Sequence, residues 1–594
     1  MRKILILLIA MALGVAWLPV FAIPAYLGKI VYTQPDGSKI EIRLHGDEFG
    51  RWATDMQGNI LSQDAKGFWR VDFGADVQTI RRRAAARRAA ANANVGWGIP
   101  AFGQKHFLMV LVAFADLPFT VEDANKAISR MMNEPGYSDY GAVGSARDYY
   151  YENSHGRFEP IFDIYGPVTL SGDMAYYGHN VNNNDAHPAE AVAEACELLD
   201  DEIDFSQYDQ DGDGEVDMVF MLYAGQGEAD TGIADTIWPH MWYLSAGGII
   251  LELDGKKMNR YACSSELDPV KQQAGIGAPC HEFGHTLGLP DLYDTNYTDN
   301  GLTAGMSYFS LMDSGSYNGD SWVPPYFTLQ ERIVLGWVDE RALEEITGPG
   351  DYVLASVQEE KACKTSTDLE GEYFVYECRT NSGWDRGLEA HGMLVYHVDK
   401  SDENVVPTPY GDYMAAQIWT EFTPFMQFLN TSSEHPCWIL VPAPDPENVA
   451  YGYDSWGYFD WECARDLSFP GAKKVTTYTA RSWNGVASEM NLQDINYTGD
   501  NVTFTVNYVP HVPALDFFSI KDPGRGKYAA GSSFALELNT PAGQSYDSVQ
   551  WYFDGAAVSG NAVALSAAGM HLVEAELSLP GGGRQKTSVE IQVK

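Results

Sequence analysis

His281-Glu282-Phe283-Gly284-His285-Thr286-Leu287-Gly288-Leu289-Pro290-Asp291 is the stretch around which the chain is organised. Histidines four apart stand one turn apart on one face of a helix, so both imidazoles can reach a single zinc ion. Glu282 lies about 100° further round the helix. That sets a carboxylate beside the metal's open position rather than in its coordination shell. Gly288 tolerates the left-handed conformation that ends a helix, and Pro290 keeps the helix from resuming. The reversed chain can return Asp291 as a third ligand, with Asp294 as a rival if the chain turns later. Two His, one carboxylate and one water make an open, catalytic kind of zinc site. A bare HExxH also occurs on charged surface helices. The extension to HExxHxxGxxD, with glycine where the helix must stop, points to a zinc hydrolase with Glu282 as general base.

The chain has 594 residues, enough for several domains, with 45% hydrophobic and 20% charged residues. A net charge of −42 argues against nucleic acid, whose phosphates need basic partners. It suits an exported protein and allows calcium sites. Arg2 and Lys3 precede an apolar run from Ile4 to Trp17, and Val20-Phe21-Ala22 supplies small residues near a cut after Ala22. This reads as a secretory signal over 1–22, the alternative being an uncleaved anchor; the run is short for a membrane span. No other stretch could span a bilayer, so the mature chain is expected to have no membrane span. Seven cysteines occur without a CxxC pair, so a cysteine zinc cluster is not supported. Export permits disulfides, and proximity suggests Cys363–Cys378, Cys437–Cys463 and Cys263–Cys280. Cys196 falls on an apolar helix stripe and is expected to be free and buried.

Residues 23–95 read as a small β-rich pro-segment and basic linker. Strand-like runs Ile30–Thr33 and Ile40–Leu44 are split by turns such as Pro35-Asp36-Gly37. The stretch Arg81-Arg82-Arg83-Ala84-Ala85-Ala86-Arg87-Arg88 is either a solvated helical linker or the place where the pro-segment is cut. An active protease is dangerous before export, so the pro-segment is expected to block the metal. It holds no cysteine to do so; Asp47 could plug the site, or could be a plain turn carboxylate.

The pattern becomes α/β from about Lys105, and residues 100–346 are the expected catalytic domain. Phe107–Phe114 and Met218–Tyr223 read as strands buried on both faces. Asp185–Asp200 reads as a helix with Pro188 in its first turn and Val192, Ala195, Cys196 and Leu199 as its apolar stripe. In the loop after it, Asp209, Asp211, Asp213 and Asp217 take positions 1, 3, 5 and 9 of an EF-hand-like loop, with Gly214 at 6 and Glu215 at 7. A structural calcium ion held by these carboxylates is expected, against an acidic turn that needs no ion. Phe220 stands at position 12, so the usual bidentate glutamate is missing. The zinc helix is expected to start near Pro279. Met312, in Tyr308-Phe309-Ser310-Leu311-Met312-Asp313-Ser314-Gly315, is placed to form the floor beneath the zinc ligands. His240 and Tyr293 are candidates for a second oxyanion donor, each also readable as structural.

These pieces resemble the immune inhibitor A family of secreted bacterial metallopeptidases. The resemblance is carried by Gly144–Gly156, the DQDGDGEVD loop, Ile237-Trp238-Pro239-His240, His281–Thr295, the Met312 turn, Leu335-Gly336-Trp337 and Gly392–Asp399, and it spans roughly residues 105–505. It implies a zinc endopeptidase acting on protein substrates, with a metzincin-like catalytic domain, structural calcium and N-terminal latency. It carries over His281, His285 and Asp291 as ligands and Glu282 as base. Glu377-Cys378-Arg379 departs from the family pattern, in which asparagine stands between Glu and Arg.

Residues 347–508 form a β-rich accessory domain, read as a scaffold bracing the cleft. Residues 512–594 show short strands and turns of a small β-sandwich similar to a polycystic-kidney-disease or immunoglobulin module. It is either a spacer or a surface or substrate contact. The expectation is thus a multidomain secreted zinc endopeptidase made as a zymogen. Its rival is a surface-binding protein with a vestigial zinc site, which would not need a base between the two histidines.

Overall fold

The computed structural model describes residues 23–594 except 48–49, 65, 78, 81–82, 84–97, 100, 183, 296–301, 409–410, 421–428, 455–458, 510–517, 523–526, 541–544 and 580–583. The signal-like run 1–22 therefore lies outside the described residues, as does the basic stretch 81–88 apart from Arg83. Two compact units divide at Val509/Pro510.

The first strands, Ile30–Thr33, Lys39–Asp47, Gly50–Thr54, Ile60–Gln63 and Trp69–Val71, pair in sequence order as a small meander. A sheet this small is marginal alone. It buries Ile42, Leu44, Ala53, Leu61 and Trp69 against Ala229 and Trp238 of the following region, so its stability is borrowed from its neighbour.

That neighbour is built on a five-stranded sheet in the order His240–Tyr243, Arg260–Leu267, Val219–Gln226, Gly103–Ala113, Phe158–Thr169. All pairs are parallel except that of the edge strand His240–Tyr243. The unbroken apolar run in the second-last strand follows from burial on both faces. Phe107, Met109 and Leu111 point into one core, and Leu108, Val110 and Val112 into another. The second core takes Val192, Ala195 and Cys196 of the helix Pro188–Leu198 and the capping Leu199 that follows it. That helix starts later than Asp185, the expected boundary, because Asp185 is tied into a short strand and an ion pair with Arg51.

The first core takes the helix Gly277–Thr286, with Pro279 in its first turn. Phe283 stacks edge-on to Phe107 at 4.8 Å and to Phe162 at 5.2 Å. Burying a side chain of this size contributes about 1.5–3 kcal/mol. The Tyr150 hydroxyl donates to the Cys280 carbonyl at 2.5 Å. The helix is thereby locked in rotation, with Phe283 inward and its two histidines facing the turn that follows.

Downstream, a five-stranded sheet runs Leu343–Glu345, Ala362–Ser366, Glu372–Arg379, Gly392–Asp399, Trp438–Leu440. Alternate residues again serve two cores. Val375, Leu394 and Tyr396 join the core that takes the helix Gly277–Thr286, and Phe374, Tyr376 and Val395 pack with Phe504 and Val506 of a second, four-stranded sheet. Arg379 holds Asp385 at 2.6 and 2.8 Å and donates to the carbonyls of Tyr326 and Phe309 at 2.8 and 3.2 Å. This bracket fastens the accessory sheet to the loop that carries Met312.

The second unit has its own core of Phe518, Phe534, Trp551, Val573, Leu577 and Ile591 around a five-stranded sheet. Residues 534–538 do not form one short strand; the pairing runs through Ser533–Ala535 and Leu538–Asn539 instead.

The suggested disulfides are corrected by the structure: all seven cysteines are free, Cys196 as expected. Cys363 faces Tyr376 across the ladder, and Cys378 faces Met393, so this pair is out of register. Among the described residues no helix is long and apolar enough to cross a membrane.

Candidate metal centre

His281, Glu282 and His285 are buried, at 0–3% exposure. Helix geometry alone would leave their rings free to rotate. Two backbone carbonyls stop this: Leu311 O lies 2.7 Å from His281 Nδ1, and Leu289 O lies 2.8 Å from His285 Nδ1. Carbonyls only accept, so each Nδ1 carries its proton and each Nε2 presents a lone pair. The two Nε2 atoms lie 2.9 Å apart. With these tautomers neither can donate to the other.

Gly288, at φ 104°, turns the chain as its position demands. The return brings Asp291 Oδ1 to 3.3 Å from each Nε2. This oxygen is buried with no hydrogen-bond donor. Burial keeps His285 less basic than usual. Three lone-pair donors therefore converge with no proton between them. That arrangement fits a cation: the two 3.3 Å separations match the edges of a tetrahedron with bonds of about 2.0–2.1 Å, while the Nε2–Nε2 distance of 2.9 Å is shorter.

Met312 lies under the helix. A Cβ added at Gly284 would stand 2.8 Å from Met312 Sδ, so a glycine between the histidines is what lets the methionine approach. The Met312 amide donates to Ser310 Oγ at 2.9 Å. The Asp313 carboxylate accepts from the amides of Met306, Ser307 and Ser314 at 2.9, 2.8 and 2.6 Å. The turn that aims Leu311 O at His281 is pinned from both sides.

The other candidates fall elsewhere. Asp294 is buried and accepts from Thr303 N at 3.2 Å; it is not one of the three converging groups. His240 sits between Trp238 O at 2.7 Å and the Tyr261 hydroxyl at 2.9 Å. Tyr293 is buried along a crevice that also touches Pro24 and Ala25. Asp47 is fully buried at a strand end, 3.3 Å from the Gly50 amide. Glu282 is contacted by Ile23, whose amide donates to Oε1 at 2.9 Å. Trp238 Nε1 donates to Ile23 O at 3.0 Å, and the Tyr317 hydroxyl to Pro24 O at 2.7 Å. Sequence reading did not single out Ile23; its one signal was its place just after the expected cut.

Residues 106–325 match the family described as immune inhibitor A peptidase M6, catalytic domain. By this match the segment is similar to a peptidase M6 catalytic domain. The pre-pro-metalloprotease PrtV of Vibrio cholerae serotype O1 is 32% identical over 298 residues, covering 41% of this chain and 32% of that protein. Immune inhibitor A of Bacillus thuringiensis subsp. alesti is 27% identical over 245 residues, covering 37% of this chain and 32% of that protein. The chain thus spans about a third of the length of the curated relatives it matches. Wild-type OgpA of Akkermansia muciniphila superposes with a TM-score of 0.21 at 9% identity, covering 84% of this chain and 95% of that one, too loosely to carry an argument.

The peptidase M6 domain also contains the acidic loop. Carboxylate oxygens of Asp209, Asp211 and Asp217 lie within 4.8 Å of one another. Asp213 and Glu215 are not in this group. Asp213 Oδ1 accepts from the Glu215 amide at 2.8 Å, and Glu215 lies 3.6 Å from Lys257 Nζ. Asp209 Oδ2 meets Lys256 Nζ at 2.5 Å, which holds Asp209 below the usual carboxylate range. Burial, together with Asp211, pushes Asp217 up to about 6.

Proposed function

We propose that this chain is a secreted zinc endopeptidase, made in a latent form, that hydrolyses protein substrates. The observation that carries the reading is the pair of buried Nε2 lone pairs 2.9 Å apart, with Asp291 Oδ1 at 3.3 Å from both and no proton to join them. His281, His285 and Asp291 would hold the ion. Zinc in such a site would polarise a carbonyl and lower the pKa of bound water to about 7. Glu282, one residue along the same helix, would serve as the general base that takes a proton from the attacking water and passes it to the leaving amine. The carbonyls of Leu311 and Leu289 keep the two imidazoles in one tautomer and one orientation, and Met312 packs against the helix at Gly284.

Latency is supported by the same geometry. Ile23 N donates to one carboxylate oxygen of Glu282, and residues 23–26 are tied by Trp238, Tyr317 and the Ala229 carbonyl. Asp47 is not needed for this block. Calcium in the 209–217 loop would be structural, with Asp209, Asp211 and Asp217 as its carboxylates. Export rests on the basic and apolar run at the N-terminus.

Casein hydrolysis and bound metal, measured on the processed protein, test the reading. We expect about one zinc per chain in wild type and in Glu282→Ala, with hydrolysis abolished by chelation and by the substitution. Hydrolysis that survives both would end the proposal.

A further inference from the structure

Arg51, on the strand Gly50–Thr54 of the small N-terminal sheet, reaches into the peptidase M6 domain and is buried there. Its Nη2 lies 2.6 Å from Asp185 Oδ1 and 2.5 Å from Glu228 Oε2, and it also donates to Asn180 Oδ1. The guanidinium lies over the Trp238 ring, 5.0 Å from its centroid. The pocket around it is tightly tied. Asn180 Nδ2 donates to Glu228 Oε1 at 2.7 Å, and the Trp238 amide donates to Asp185 Oδ2 at 3.0 Å. Both carboxylates are within 6% of full burial.

All of the pocket's walls belong to the peptidase domain; only its occupant comes from the segment in front. Two carboxylates this close and this buried cannot both ionise without a cation. Burial pushes Glu228 up to about 7 even with Arg51 in place. If the small sheet departs, the domain is left with a pocket that needs a positive charge. The pocket is also next to the cleft. Trp238 forms its floor and, through Nε1, holds Ile23 O, while Ile23 N contacts Glu282. Gly46, the ladder partner of Arg51, accepts from the Ala25 amide at 2.9 Å. A polypeptide lying where residues 23–25 lie would therefore pass beside the pocket.

We infer that Asp185, Glu228, Asn180 and Trp238 form a substrate subsite for a basic side chain, arginine above lysine, which Arg51 fills in the latent chain. The inference rests on the metallopeptidase reading above. The planar fork of a guanidinium matches two carboxylates and an indole face better than a compact ammonium does. A hard metal ion would ask for about six to eight oxygens, and an aromatic face supplies none.

Two measurements decide it. In the full chain, Arg51→Ala vacates the pocket. Ethylguanidinium should then raise its melting temperature, while neutral ethylurea at the same concentration should not, and Arg51→Ala combined with Glu228→Gln should lose the response. Equal behaviour of the two additives would overturn the pocket as a cation acceptor. In the active enzyme, matched peptides carrying arginine or its neutral isostere citrulline at each position near the cut should differ in kcat/KM at one position by about tenfold or more. That ratio should fall towards one in Glu228→Gln and in Asp185→Asn. Cleavage without such a ratio in wild type would overturn the subsite and leave the metallopeptidase reading standing. If no peptide is cut at all, both fall.

Discussion

The zinc-type trio and the acidic loop of the same domain each bring three metal-competent side chains within a few ångströms. They differ in what else those side chains touch. In the trio, the Nδ1 protons of the imidazoles are taken on the far side by Leu311 O and Leu289 O, so each Nε2 turns a lone pair towards the other ring and Asp291. In the loop, Asp209 already faces an ammonium, and Asp211 and Asp213 accept from amides of the loop itself. The first arrangement is incomplete without a cation; the second is half satisfied by protein. Ligand count is therefore a poor guide to a metal site. The hydrogen bonds behind the ligands distinguish the two.

The comparison can be broken most easily at its strong end. His285→Ala removes one lone pair and leaves Asp291 Oδ1 buried beside a single imidazole; zinc content and peptide hydrolysis should both fall to background. An active, metal-loaded variant would mean that the trio is not the metal centre. Asp209→Ala should leave both intact and abolish only a calcium-dependent rise in melting temperature. An intermediate effect is expected for Gly284→Ala. Its new methyl would press on Met312 Sδ at 2.8 Å, costing about 1–3 kcal/mol in denaturant unfolding and lowering activity through the displaced floor. Unchanged stability would show that Met312 moves aside freely. The smallest effect belongs to Lys256→Met. Removing the ammonium that competes for Asp209 should strengthen calcium binding by a few-fold, since a part-exposed pair is worth about 0–1 kcal/mol. Weaker binding, read by calorimetry, would mean that the lysine orders the loop rather than competing with the ion.

Features of short range were readable from the chain. The i, i+4 histidines share a helix face by geometry, the Gly288 stop takes the left-handed turn, and the run Phe107–Val112 is apolar throughout because it feeds two cores. The Val192, Ala195, Cys196 and Leu199 stripe is buried as periodicity required. Where two carboxylates competed, spacing could not choose: Asp291 and Asp294 both follow Gly288, and only the path of the return brings the first to the histidines. The cysteine pairs show the same limit. Nearness in sequence suggested Cys363 with Cys378, whereas ladder register sets them against Tyr376 and Met393.

By itself, then, the amino-acid sequence determined the helix that presents two imidazoles and a carboxylate, the turn behind it and the acidic loop, because each is encoded within about a dozen neighbouring residues. Tertiary structure alone decided that Leu311 O orients His281, that Ile23 reaches Glu282 across 259 residues, and that Arg51 rather than a helix cap claims Asp185. The physical reason is that these contacts depend on which surfaces the folded chain buries against one another. Local propensity and periodicity carry no information about partners that distant.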